Sequence, residues 1–135
     1  MAKKKPARKE KELWKDLPEE HDFPAAFSYL SLICGERPAE ALVNLLKDAP
    51  VERRKAKDLL RASRLPLLPE NDYHVALDLK KIADGVPLSP VLLVRGNAAK
   101  LLNLTVADGY HRICASYHVD EDQDVRCKIV EPKFV

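Results

Sequence analysis

The spacing of apolar residues changes near residue 64, and no single regular architecture accommodates both halves of the chain. Before that point the apolar residues recur at helical intervals. Phe23, Ala26, Phe27, Leu30, Ile33 and Cys34 fall on one helical face. Asp22 is placed to cap the start, Pro24 is tolerated in a first turn, and Gly35 stops the run. Pro38 opens a second helix with Ala41, Leu42, Leu45 and Leu46 on one face. Pro50 opens a third that reaches Ser63, burying Leu59 and Leu60 and leaving Arg53, Arg54, Lys55 and Lys57 on a wet face. RLPLLPEND (64–72) is then a proline-rich connector, and short runs take over. YHVAL (73–77) reads as a strand, and DLKKIADG (78–85) as a short helix capped by Asp78 and closed by Gly85. VLLVR (91–95) reads as a buried strand, GNAAK as a turn and LLNLTVA (101–107) as the next strand. A helix follows over 109–119, with Tyr110, Ile113, Cys114 and Tyr117 on one face, and VRCKIV (125–130) is a last strand. The expectation is an α+β domain: three N-terminal helices followed by a β-α-β-β-α-β unit with a small mixed sheet.

A chain of 135 residues suits one domain with a sufficient core. The expected division is a basic, disordered tail over 1–20 and a single domain over 21–135, helical to 63 and α/β from 64. A net charge of +2 excludes a polycation as a whole, but Lys3, Lys4, Lys5, Arg8, Lys9 and Lys11 crowd the start. Such a tail offers a contact to nucleic acid, and a solvated end that aids solubility is the preferred reading. No secretory h-region and no bilayer-length apolar run occur, so a cytoplasmic protein with no membrane contact is expected. Three cysteines, Cys34, Cys114 and Cys127, with no CxxC spacing point to reduced, mostly buried thiols. Trp14 is read as packing, and His21 and His74 as structural histidines. Asp120 to Asp124 form a solvated acidic turn without the glycine and glutamate of a calcium loop.

The bend VADGYHRICA (106–115) carries the chemistry. Asp108 and Gly109 fall where a strand ends and a helix begins. The first amides of a helix have no internal partners and lie at its positive end, which favours an anion. Gly109 permits a sharp turn and close approach of a ligand. Arg112 can fork onto two phosphate oxygens, and His111 can donate a hydrogen bond or shuttle a proton. Asp108 can cap the helix, hold a magnesium ion bridged to phosphate, or accept a substrate proton. The plainer alternative makes Asp108 a cap paired with Arg112 and leaves His111 merely exposed. A second candidate set for zinc, His111, Cys114 and His118 with Cys127, matches no standard finger spacing.

Two motifs carry a resemblance. GVPLSPVLLV (85–94) follows a short helix in a Gly-x-x-x-x-Pro-x-x-V pattern, and GYHRICA (109–115) has the form Gly-x-x-Arg-x-x-Ala. In these and in the order of its elements, the stretch from 64 to 130 resembles the ParB/sulfiredoxin-like fold; the N-terminal helices lie outside the likeness. ParB-type partition proteins carry a Gly-Glu-Arg-Arg box at the second motif that cradles a nucleotide triphosphate, and sulfiredoxins carry Gly-Cys-His-Arg and bind ATP. Some small-molecule kinases of this fold have an acidic residue ahead of the glycine. The resemblance implies a nucleotide-binding domain taking ATP or CTP with Mg2+. Gly109, Tyr110, His111 and Arg112 would face the phosphates, Pro87, Ser89 and Pro90 the base or ribose, and Asp108 and His111 would serve NTP hydrolysis or phosphoryl transfer, Asp108 also as the metal ligand. Tyr110 stands where sulfiredoxins have their cysteine, so that redox chemistry is not expected. His111 replaces the ParB glutamate and Ser89 a frequent glutamine. No helix-turn-helix follows residue 130, so partition-type DNA reading is not expected either. The alternatives are a non-catalytic regulatory module that docks a protein through its N-terminal helices, or a nucleic-acid-associated protein using the basic tail and the cations from Arg53 to Lys57.

Overall fold

The computed structural model describes residues 13–132. Five helices and one four-stranded mixed sheet make up this part of the chain, an α+β arrangement. The elements are α1 (Asp22–Cys34), α2 (Glu36–Asp48), β1 (Glu52–Lys55), α3 (Ala56–Ser63), α4 (Tyr73–Ala83), β2 (Val91–Val94), a 3-10 turn (Ala98–Lys100), β3 (Thr105–Asp108), α5 (Tyr110–Val119) and β4 (Asp124–Val130). The strand order is β1-β4-β2-β3, with β4 and β2 parallel and the two outer pairs antiparallel.

The apolar run VLLV explains the layering. All four residues are buried, and because successive side chains point to opposite faces, both faces of the sheet need cover. Leu92 and Val94 pack with Ala107 and Val130 under Leu30, Leu42 and Leu46 of α1 and α2. Val91 and Leu93 pack with Val106, Val125 and Cys127 under α3, Val75 of α4, and Ile113, Cys114 and Ala115 of α5. On the α1/α2 face, Lys128 is buried and its Nζ donates to the Lys47 carbonyl at 2.9 Å, at the C-terminal end of α2 where carbonyls lack partners. Burial pushes the Lys128 ammonium below its ordinary pKa. The cysteines are free, with Cys114 and Cys127 in the core.

Several local expectations are corrected. The helix read from Pro50 begins only at Ala56; Glu52–Lys55 is instead the edge strand β1, so Arg53 and Arg54 lie on a sheet edge. A short, charged edge strand blunts pairing with other chains. The strand at 73–77 and the helix at 78–85 are one helix, α4, capped by Asp72, whose Oδ2 accepts from the His74 and Val75 amides at 3.1 Å; Asp78 lies inside it and caps nothing. From residue 52 the order is β-α-α-β-β-α-β rather than the expected β-α-β-β-α-β from 64, and β3 begins at Thr105 rather than 101. The folded body also begins before residue 21. Leu13 and Trp14 are buried in the core, and Trp14 pairs in parallel with Leu88. The part of the expected tail over 1–12 lies outside the described residues. Among the described residues no helix is long and apolar enough to cross a membrane.

Candidate functional site

The corner between β3 and α5 is built on a position that only glycine can fill. Gly109 has φ 111°, and a Cβ there would lie 2.3 Å from Val91 Cγ1. The backbone thus packs directly on the first residue of β2. The Ile113 amide donates to the Gly109 carbonyl at 3.1 Å and closes the first turn. The amides of Tyr110, His111 and Arg112 precede any intrahelical acceptor and form the positive end of α5.

This corner lines one side of a cleft of about 370 Å³. Gly109, His111, Arg112, Asp108, Pro87 and Ser89 all reach it, and so do His74, Asp78 and Lys81 of α4. Lys15, Glu19, His21 and Asp22 also line it. The imidazoles of His74 and His111 stand 4.7 Å apart, centroid to centroid. Lys15 and Glu19 form an ion pair, and His21 lies between Glu19 and Asp22, at 3.2 and 3.4 Å.

Arg112 does not extend into the cleft as a free clamp. Its side chain is 12% exposed and turned inward. Nη1 donates to the Ser89 carbonyl at 2.6 Å, to the Ser89 hydroxyl, and to the Pro90 carbonyl at 3.4 Å. Nη2 donates to Asp108 Oδ2 at 2.7 Å, and Asp22 Oδ2 lies 3.8 Å from Nη1. Arg112 is a strut that ties α5 to the 89–90 turn and neutralises two carboxylates from β3 and α1. Asp108 is correspondingly neither a free base nor an open metal ligand. Burial raises its pKa, only partly offset by Arg112, and the neighbouring Asp22 carboxylate raises it further. The local Asp108–Arg112 pairing weighed as the plain alternative is thus present, while His111 lies within the cleft.

Two further expected residues lie elsewhere. The Tyr110 hydroxyl donates to the Pro66 carbonyl, fastening the proline-rich connector to α5, outside the cleft lining. Pro90 is fully buried beneath the cleft. Of the zinc candidates, Cys114 and Cys127 are core residues and His118 Nε2 contacts the Leu68 carbonyl at 2.7 Å. Among the described residues no three or more His, Cys, Asp or Glu group to hold a metal ion by themselves.

The helix α4 supplies what the sequence reading missed. His74, Asp78 and Lys81 sit at i, i+4 and i+7, one helical stripe facing the cleft. The Asp78 side chain makes no hydrogen bond or ion pair among the described residues. Burial raises its carboxyl, offset in part by Lys81, Arg112, His111 and His74. That stripe is readable once Asp72, not Asp78, is taken as the cap. No family model, curated protein or solved structure matches the chain.

Proposed function

We propose that the chain is a nucleotide-phosphate-binding domain of the ParB/sulfiredoxin-like type, with the β3–α5 corner as its anion cradle. One observation carries the reading: Gly109, at a corner no side chain can fill, and His111 and Arg112 of the first turn of α5 line a cleft that also holds His74 and Lys81. Amides and a helix positive end at close range suit phosphate oxygens. His111, His74 and Lys81 take the clamping role expected of Arg112, and Pro87 and Ser89 border the sugar or base. A magnesium ion arriving with ATP or CTP would meet the unpartnered carboxylate of Asp78, since Asp108 is held by Arg112. In a phosphoryl-transfer reaction, positioning and charge neutralisation supply most of the rate, and Asp78 is the base candidate facing the cleft.

The test is a thermal melt of the full chain against ATP, CTP, GTP and inorganic phosphate, with and without Mg2+. A ligand at a hundred times its Kd adds about 2.7 kcal/mol, which is about 10 °C for a domain of this size. Lys81→Ala and His111→Ala remove the shift while leaving the unliganded melt in place. No shift with any of the four ligands ends the proposal. Phosphate release from a nucleotide that binds separates a catalytic domain from a regulatory one.

A docking role for the N-terminal helices is supported by the outer face of α1, where Tyr29, Leu32 and Ile33 are exposed. Sedimentation of the parent against Leu32→Glu tests self-association through that face.

A further inference from the structure

A second cleft, about 650 Å³, lies away from the corner, between the end of α3 and the loop joining β2 to β3. Its rim carries Arg61, Arg64 and Arg95, and no acidic residue lines it. Arg95 pairs with Glu131 at 2.6 Å. Arg61 and Arg64 are exposed and make no ion pair among the described residues.

The loop opposite is tightly built. Asn97 and Leu102 exchange both backbone hydrogen bonds at 2.9 Å, and the Asn97 side chain accepts from the Lys100 amide. Gly96 admits the loop closely, since a Cβ there would lie 2.4 Å from the Leu102 carbonyl oxygen. Leu101 then takes φ 57°, a conformation suited to glycine or asparagine, and its side chain is 89% exposed. Leu102 beside it is also exposed. Arg64 and Leu101 are the two non-glycine residues with positive φ among the described residues, and both line this cleft. Each closes a helical segment in the left-handed conformation, Arg64 at the end of α3 and Leu101 at the end of the 3-10 turn.

We infer that this cleft docks an acidic, leucine-bearing segment of a partner protein, with its carboxylates on Arg61 and Arg64 and its apolar side chains on Leu101 and Leu102. The arginine fork matches a carboxylate in bidentate fashion, and a rigid loop presenting two leucines loses little freedom on binding. Nucleic acid is the weaker fit, because no aromatic side chain lines the cleft to stack a base.

The experiment selects displayed random 12-residue peptides on the immobilised full chain, then measures the affinity of a synthesised winner. The expected winners combine two or more Asp or Glu with Leu. Their affinity falls at least tenfold for Arg61→Glu/Arg64→Glu and for Leu101→Asp. A peptide with Lys in place of its acids regains binding to the charge-reversed variant, which a merely structural role for the arginines would not produce. The inference is overturned if no acidic class is enriched, if parent and charge-reversed chains bind the peptide alike, or if a dT12 oligonucleotide outcompetes the peptide at this cleft.

Discussion

Replacing Gly109 with alanine tests whether the corner is built as described. The added methyl would lie 2.3 Å from Val91 Cγ1 and 2.7 Å from Val91 Cβ, both on a strand buried at the centre of the sheet. Two costs combine. A left-handed backbone conformation at a non-glycine residue costs about 1–2 kcal/mol. Forcing a methyl into a packed core costs about 1–3 kcal/mol. The sum, about 3 kcal/mol, lowers the melting temperature by about 12 °C at about 4 °C per kcal/mol. A double-mutant cycle with Val91→Ala, which removes Cγ1 and keeps Cβ, isolates the part of the clash that falls on Cγ1. In that background Gly109→Ala still costs the conformational part and the contact with Cβ, and the relieved Cγ1 clash appears as a coupling of about 1 kcal/mol or more. Urea melts of the four chains supply the numbers. A Gly109→Ala chain that melts within about 3 °C of the parent, or that costs the same with and without the valine, refutes the packing of this corner on β2.

Arg112→Met strands Asp108 and Asp22 without their shared guanidinium and costs about 3 kcal/mol or more at pH 7. The loss shrinks at low pH, as the Asp108 carboxyl, held above its ordinary value by burial, protonates, which urea melts at pH 7 and pH 4 will show. Arg112→Lys does not restore stability, because an ammonium cannot serve the Ser89 carbonyl and Asp108 with a rigid fork. Trp14→Ala, at a residue 2% exposed, costs about 3–5 kcal/mol and is read from the urea midpoint. Asp78→Asn stabilises the chain at pH 7, because burial disfavours the ionised carboxyl in the folded state. Since the folded carboxyl holds its proton more tightly than the unfolded one, the penalty is absent below the ordinary value of 3.8 and appears as pH rises through the folded pKa; melts at pH 3.5 and 7 check this sign.

What could be read in advance followed from local pattern. VLLV announced a buried strand because a short continuous apolar run has few other fates. The start of α5 was marked by a glycine between a strand-like and a helix-like period. YHVAL misled because a tyrosine and a valine flank a histidine in alternation, while the stronger signal, the Asp72 carboxylate ahead of two free amides, lay outside the run. ERRK gave no strand signal because every side chain of an edge strand can face water, and its pairing with β4 is a tertiary fact. The site divides the same way. Asp108 and Arg112 are i, i+4 neighbours, so their pairing was legible. That Asp22 would arrive from α1, and that the Ser89 carbonyl and hydroxyl would both accept from Arg112 Nη1, required the fold. Arg112 was assigned to a ligand because its fork suits phosphate, but the same fork is satisfied by a carboxylate and a carbonyl within the chain.

The pairing of Trp14 with Leu88 has a mechanical consequence. The Lys15 amide donates to the Leu88 carbonyl at 2.7 Å and the Leu88 amide to the Leu13 carbonyl at 2.8 Å. Leu88 is flanked by Pro87 and Ser89, which form part of the cleft wall, and Ser89 in turn holds Arg112. Tension on the backbone ahead of Leu13 is therefore delivered by two hydrogen bonds to the segment that anchors the strut. Whatever grips the lysine-rich start of this chain, an affinity tag included, pulls on the wall of the cleft.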